Sequence, residues 1–117
     1  MARTDVASIQ VISLSGITPS YEAANVDGNM WRNSGRETIH VINGGGGAVT
    51  VTLPTPATTG SGLTIEDRDI VVGAGADAMI GTLKPGEHNQ AAGTADAGKA
   101  YIDYSGITSV TFGVFRS

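Results

Sequence analysis

The chain has 117 residues, of which 17 are glycine and none is cysteine, and its formal net charge is −4 at pH 7. This length fits one small domain, and the lack of cysteine excludes disulfides and thiolate metal sites. The seven basic residues are scattered along the chain, so the basic stripe through which nucleic-acid binders displace counterions from phosphates is missing.

The side-chain composition favours β-structure. Ten Val, ten Ile and thirteen Thr stand against four Leu, and β-branched side chains pack well on a sheet but lose χ1 freedom in a helix. No segment approaches the roughly 18 consecutive apolar residues that a membrane-spanning helix needs. The N-terminal residues also lack the apolar stretch of a signal peptide. We therefore expect an all-β protein that is made in the cytoplasm and contacts neither nucleic acid nor a membrane.

The first third of the chain contains an extended segment, a turn region and a brief strand. Residues 7–17 predict the extended segment, in which one face carries Ile9 and Val11 and the other carries Gln10, Ile12 and Leu14. Residues 21–24 have little room for a helix between Pro19 and the turn residues Asp27-Gly28, so we expect a bend or a short turn. Residues 30–32 then predict a brief strand.

The clearest local pattern surrounds the glycine tract of residues 44–47. Residues 37–43 before the tract alternate, with Ile39 and Val41 on one face, and residues 48–53 after the tract alternate in the same way. Two alternating runs around a glycine tract predict a β-hairpin with a loose loop.

Short strands and turns continue through the rest of the chain. Pro85-Gly86 predicts a turn, residues 90–99 predict a mobile loop, and Ser105-Gly106 predicts the turn of a final hairpin. The predicted strands of this half cover residues 63–65, 69–72, 78–83, 100–104 and 107–115.

About seven to nine short antiparallel strands at regular spacing are typical of a sandwich or a barrel. We predict a single compact β-sandwich, jelly-roll-like, over residues 25–117, preceded by an extended N-terminal segment of residues 1–24. The period-2 pattern of the three clearest strands predicts which side chains form the core. These are Ile39, Val41, Val49, Val51, Phe112 and Val114.

Candidate catalytic and metal-binding residues are few. His40 lies mid-strand on the face opposite the predicted core and His88 lies in a loop, so we expect solvated or hydrogen-bonded roles for both rather than metal ligation or general-base catalysis. Residues 66–69 hold three carboxylates that could bind Ca²⁺, but Arg68 stands among them and the spacing of an EF-hand is missing. Residues 44–47 lack the following Lys-Ser/Thr pair and helix of a phosphate-binding loop. We expect no enzyme activity, no cofactor and no metal.

The N-terminal segment carries apolar residues on both faces of an extended chain. Disordered tails are poor in β-branched residues, so we expect this segment to pack against its own sheet with one face and against a second surface with the other. The alternative is an ordinary first strand buried within its own sandwich. Trp31 is expected to anchor the core or a subunit contact, with a sugar-stacking platform as the other interpretation. The candidate contact residues are Val6, Ile9, Val11, Ile12, Leu14 and Trp31.

Several segments form a pattern that covers nearly the whole chain, namely residues 1–4, 21–28, 35–41, 43–46, 48–52, 100–105 and 110–111. This pattern resembles the small head decoration, or cement, proteins of tailed phages. The resemblance implies a structural virion protein on the outside of the capsid that binds the major capsid protein, often as a homotrimer. It implies no catalytic residues.

Other classes of function stay open at this point. A β-sandwich subunit of a tail or a head-tail connector would share these structural motifs. A carbohydrate-binding module displayed on the virion would expose aromatic side chains along one face. An enzyme would need a clustered polar site, which the spacing of the His, Ser and acidic residues does not supply.

Overall fold

Ten strands and one short helix form the regular structure of residues 4–5, 9–56, 61–63, 66–91 and 93–116, which are the residues that the computed structural model describes. The strands are β1 (Thr4–Asp5), β2 (Gln10–Val11), β3 (Glu22–Ala23), β4 (Asn29–Arg32), β5 (Glu37–Asn43), β6 (Val49–Leu53), β7 (Arg68–Val72), β8 (Asp77–Ile80), β9 (Lys99–Tyr104) and β10 (Val110–Arg116), and the helix is α1 (Pro85–His88). The protein is therefore mostly β, as its composition predicts.

The strands form two five-stranded sheets. The order is β1-β4-β9-β6-β7 in the first sheet and β2-β10-β5-β8 in the second, where β3 also pairs with β10. Two pairings are parallel, β1 with β4 and β2 with β10, and the other pairings are antiparallel. The sheets are mixed, although the sequence predicts antiparallel strands alone, because β1 and β2 join the sheet edges without a hairpin that would fix their direction.

A single cluster of buried side chains contains residues from both sheets. Each strand contributes alternate positions, as the pattern of buried and half-buried residues along β5 and β6 shows. All six predicted core residues belong to this cluster, and each is at most 8% exposed. Burying one side chain of this size contributes about 1.5–3 kcal/mol, so these positions supply much of the stability of the fold. The prediction of the core is confirmed.

The predicted hairpin around residues 44–47 is wrong. β5 pairs with β10 and β8 in the second sheet, whereas β6 pairs with β7 and β9 in the first. The glycine tract therefore carries the chain from one sheet to the other. An alternating pattern shows which side chains are buried, but two strands facing each other across a core have the same pattern as two neighbours in one sheet.

The predicted final hairpin is wrong for the same reason. β9 pairs with β4 and β6, whereas β10 pairs with β2, β3 and β5. Residues 105–109 cross between the sheets beside the glycine tract. The two linkers touch, since the Gly44 N–H donates to the Ser109 carbonyl at 2.9 Å and a Cβ at Gly45 would lie 3.0 Å from the Thr108 carbonyl oxygen.

The buried side chain of Asn43 fixes the crossing at the end of β5. Its Nδ2 lies 2.8 Å from the Gly47 carbonyl oxygen, 3.1 Å from that of Val72 and 3.2 Å from that of Gly73, and its Oδ1 accepts the Gly45 N–H at 3.0 Å. Buried backbone groups need hydrogen-bond partners. The Asn43 amide is the partner of backbone groups at the end of β7 and in the linkers that follow β5 and β7.

Several predicted boundaries differ from the structure. Residues 21–24 contain the strand β3 instead of a bend, and Pro85-Gly86 begins α1 instead of a turn. The extended segment of residues 7–17 is reduced to β2 among its described residues, and the strand of residues 78–83 ends at Ile80. Leu63 lies outside any strand, and residues 64–65 lie outside the described part of the chain.

Candidate functional site

The second sheet is extended at one edge by two short strands of the N-terminal segment. β2 pairs in parallel with Phe115 and Arg116 at the end of β10, and β3 pairs antiparallel with Thr111 and Phe112 nearer its start. The chain between them, residues 12–20, bends away from the sheet and returns; we call it the N-terminal loop. Both strands at its base hydrogen-bond to β10, so the loop is tied to the protein's own sheet at both ends.

A single side-chain amide closes the base of the N-terminal loop. Gln10 Nε2 donates to the Ser20 carbonyl at 2.7 Å, and Gln10 Oε1 accepts the Ser20 N–H at 2.8 Å. The Ile12 N–H donates to the Arg116 carbonyl at 2.7 Å, and the Gly16 N–H donates to the Ser13 carbonyl at 2.9 Å. These four hydrogen bonds give the loop a defined path.

The N-terminal loop and the adjoining strand β2 present apolar side chains to solvent. Leu14 at the turn of the loop is fully exposed, Val11 and Ile12 are each 48% exposed, and Ile17 is 36% exposed. Apolar side chains that are grouped and exposed on a small protein mark interaction sites more often than single exposed ones do. This surface, formed by Val11, Ile12, Leu14 and Ile17, is called the apolar surface below.

A groove of about 310 Å³ lies between the N-terminal loop and the outer face of the second sheet. Phe115 is only 5% exposed although it is not part of the core cluster, because it lies on the outer face beneath this groove. The Tyr21 ring packs near it, with ring centroids 5.9 Å apart. The residues lining the groove are Ile12, Ile17, Pro19, Tyr21, His40, Met79 and Phe115.

A chain of hydrogen bonds crosses one side of the groove. Tyr21 Oη lies 2.8 Å from His40 Nδ1, and His40 Nε2 lies 2.5 Å from Asp77 Oδ2. Since an ionised carboxylate only accepts, Nε2 donates to Asp77, and Nδ1 accepts from the Tyr21 hydroxyl when the ring is neutral. The chain joins the end of the N-terminal loop to β5 and β8, and it gives His40 the hydrogen-bonded role that its position predicts.

The structure brings some of the predicted contact residues together and separates others. Val11, Ile12 and Leu14 belong to the apolar surface, Ile9 is half-buried against the core cluster, and Val6 lies outside the described residues. Trp31 is 1% exposed and belongs to the core cluster. As a correction, it is a core residue of the first sheet and offers no surface to a partner or a sugar.

His88 differs from its predicted place in a loop. It ends α1, it is 9% exposed, and its Nδ1 is buried without a hydrogen-bond partner in the described part of the chain. Residues 66–69 are exposed, and Arg68 and Asp69 belong to β7, so only residues 66 and 67 lie outside a strand. Among the described residues, no group of three or more His, Asp or Glu side chains could hold a metal ion.

Glu37 is a buried charged residue that sequence reasoning misses. It is 2% exposed, its Oε1 accepts the Ser34 N–H at 2.7 Å, and its Oε2 accepts the Ser34 hydroxyl at 2.8 Å. Burial alone would raise its pKa, but the hydrogen bonds from Ser34 and from the N–H groups of Arg36 and Glu37 outweigh burial, so the pKa lies below the ordinary value of 4.5. The Ser-x-x-Glu spacing was the available signal, although it usually marks the start of a helix.

Comparisons of this chain with protein-family models, with curated proteins and with solved structures give no match. The functional interpretation therefore rests on the geometry and on the sequence resemblance described above. The main features of the geometry are the apolar surface, the groove beside it and the hydrogen bonds that hold both to β10.

Proposed function

We propose that this protein is a structural virion subunit that decorates and stabilises a phage capsid from the outside. In this proposal the apolar surface binds the lattice of the major capsid protein. The observation that carries it is the exposure of Leu14, Val11 and Ile12 on a loop that hydrogen bonds hold to the sheet. The phage resemblance of the sequence supports the same function.

Energetics favour attachment through this surface. Fully burying one Leu or Ile side chain contributes about 1.5–3 kcal/mol, and this surface has four partly or fully exposed apolar side chains. Binding also orders interface segments, which opposes association. The N-terminal loop is already ordered by the hydrogen bonds between Gln10 and Ser20. Less of the free energy gained by burying the apolar side chains is therefore lost to ordering the loop.

The fold proposed for this subunit is a β-sandwich of jelly-roll-like type. Both sheets contribute to one core cluster, which supports face-to-face packing. From β4 to β10 the chain changes sheet at every connection except that between β6 and β7. Such repeated crossings support the comparison with jelly rolls, which are also built from two sheets.

We propose further that the subunit acts as a homotrimer on the capsid exterior. β7 ends the first sheet and β8 ends the second, and neither strand contains a lysine to protect its edge. Contacts between sister subunits would cover these edges. A small core gains stability from such association.

A subunit of a tail or a head-tail connector is the alternative that uses the same surface, and its position on the particle distinguishes it. A carbohydrate-binding module is less favoured, because it would expose aromatic rings for stacking on sugars. All six aromatic residues are described, and each is buried or half-buried. Trp31 in particular lies in the core.

The proposal is tested by binding to capsid shells. Shells of the major capsid protein from the same genome are mixed with the purified protein, and the amount that sediments with them is measured. Leu14→Asp should weaken binding by about tenfold or more, since it replaces a burial worth about 1.5–3 kcal/mol with a charge. Val26→Asp is the matched control, because Val26 is 66% exposed in the turn between β3 and β4, outside the apolar surface and outside the edge strands β7 and β8.

The expected result is that Val26→Asp sediments like the unchanged protein while Leu14→Asp stays in solution. Equal binding of the two variants would contradict attachment through the apolar surface. If the unchanged protein does not sediment with the shells and is recovered in the tail fractions of the virion, the tail alternative is favoured.

A further inference from the structure

A second cavity, of about 550 Å³, lies where β7 and β8 end their sheets. Its size falls within the range of about 300–1,000 Å³ that is typical of small-molecule sites. Much of its wall is apolar and is formed by Leu53, Ile70, Ala78, Ile80 and Leu83. Three of these side chains, Leu53, Ile80 and Leu83, also belong to the core cluster, so the floor of the cavity is part of the packed interior.

Polar side chains border the same cavity. Arg68 from β7 and Lys84 before α1 are exposed and line it, together with Glu87 and His88 of α1. Among the described residues, neither cationic side chain has an ion-pair or hydrogen-bond partner. Of the charged side chains that line the cavity, Arg68 and Lys84 are cationic and Glu87 is a carboxylate, and the carboxylates of Glu66, Asp67 and Asp69 flank Arg68 outside it.

His88 is the most informative residue of this cavity. Its side chain is nine-tenths buried and lacks a hydrogen-bond partner in the part of the chain that the structure describes. Nδ1 is shielded from solvent, whereas Nε2 is not among the buried polar atoms. Because buried polar groups are normally paired, a ring with no partner that lines a cavity is suited to hydrogen-bond a ligand there.

We propose that this cavity binds a small amphipathic monocarboxylate, with its apolar body against Leu53, Ile70 and Ile80 and its carboxylate near Arg68 and His88. Arginine pairs well with carboxylates because its donors match both carboxylate oxygens. Glu87 disfavours a dianion, since a second negative charge would lie near its carboxylate. The site is separate from the apolar surface and lies at the strand edges proposed as subunit contacts, so it is tested on the purified protein without capsid shells, and the inference does not depend on capsid binding.

The test uses decanoate, below its micellar concentration, and decanol as a neutral ligand of the same chain length. Binding is measured by calorimetry, and the site is located by NMR from methyl shifts. Decanoate should bind saturably at one site and shift the methyl signals of Ile70, Ile80 and Leu83. Decanol should bind about tenfold or more weakly, because it lacks the charge-assisted hydrogen bonds.

Three variants separate the electrostatic contribution to ligand binding from the steric one. Arg68→Gln should weaken decanoate binding by about tenfold and leave decanol binding unchanged. Ala78→Leu, which fills part of the cavity, should weaken both ligands. Arg32→Gln is the matched control, because Arg32 is also exposed on a strand but does not line the cavity.

The proposal is overturned if decanoate shows no saturable binding, if decanol binds as tightly as decanoate, or if Arg32→Gln weakens binding as much as Arg68→Gln. Shifts confined to Ile12 and Ile17 would place the ligand in the groove of the N-terminal loop and would also overturn it. Loss of capsid binding in Leu14→Asp has no bearing on these outcomes, so the two proposals fail separately.

Discussion

Gln10 and Ser20 are joined by both polar atoms of one side-chain amide. Gln10 Nε2 donates to the Ser20 carbonyl at 2.7 Å, and Gln10 Oε1 accepts the Ser20 N–H at 2.8 Å. The amide thus pairs with both backbone groups of Ser20, as a neighbouring strand would. It closes the N-terminal loop across ten residues and holds Leu14 away from the sheet.

Replacing Gln10 by Glu should loosen the N-terminal loop without unfolding the protein. A carboxylate keeps the acceptor for the Ser20 N–H but loses the donor to the Ser20 carbonyl, so the loss of stability should be about 1 kcal/mol. Amide hydrogen exchange of residues 12–20 should speed up, while exchange in β5 and β10 stays slow. Unchanged exchange in the loop would show that this amide does not hold it.

Gly113 of β10 leaves room for the N-terminal loop, and Gly113→Ala tests this role. A Cβ there would lie 3.0 Å from the Phe115 ring and 3.1 Å from the Ser20 carbonyl oxygen. We expect a loss of about 1–3 kcal/mol in urea unfolding, typical of an overpacked site. Gly46→Ala is the control, because no atom of the described residues other than its chain neighbours lies within 4 Å of its added Cβ. Equal effects of the two changes would contradict the close packing of the loop on β10.

Glu37 should make the protein less stable in acid. Its pKa in the folded state is lowered, so its carboxylate stabilises the fold above its ordinary pKa of 4.5, and this contribution is lost as the pH falls through the lower folded value. Urea unfolding between about pH 7 and pH 3 measures the effect. Glu37→Gln should be less stable at pH 7 and less sensitive to acid.

The control for Glu37 is Glu66→Gln, which removes an exposed carboxylate. The unfolding free energy of Glu66→Gln should change with pH in the same way as that of the unchanged protein. If Glu37→Gln lost stability in acid as steeply as the unchanged protein, Glu37 would not be the group responsible.

Asn43→Ala should destabilise the crossing between the sheets. The change leaves the carbonyls of Gly47, Val72 and Gly73 without this donor and the Gly45 N–H without its acceptor. One buried group left unpaired costs about 1–3 kcal/mol, so we expect a loss of at least about 2 kcal/mol in urea unfolding. A loss below about 0.5 kcal/mol would show that the linkers do not depend on this residue.

The sequence predicts the core well but not the partner of each strand. Ile39 and Val41, Val49 and Val51, and Phe112 and Val114 are buried because alternate positions along a strand face the same side. Whether β5 and β6 lie side by side or in opposite sheets depends on contacts that periodicity does not encode. In the structure, Asn43 and the close approach of Gly45 to Thr108 hold the crossing between the two sheets.

The candidate surface could be predicted only in part. The excess of apolar residues in the N-terminal segment indicates that it contacts something, and Val11, Ile12 and Leu14 are indeed exposed. The loop itself depends on Gln10 bonding to Ser20, and a pairing between side chain and backbone ten residues apart leaves no pattern in the sequence. The sequence leaves Trp31 in either the core or a contact, because the size of its side chain suits both.

A cryo-electron microscopy map of capsid shells assembled with this protein tests the central claim most directly. We predict density for the protein on the outer face of the shell, as three copies around a common axis, with the N-terminal loop against the major capsid protein and Leu14 buried in the contact. A shell without the protein, or a protein bound through another face with Leu14 in solvent, would contradict the claim.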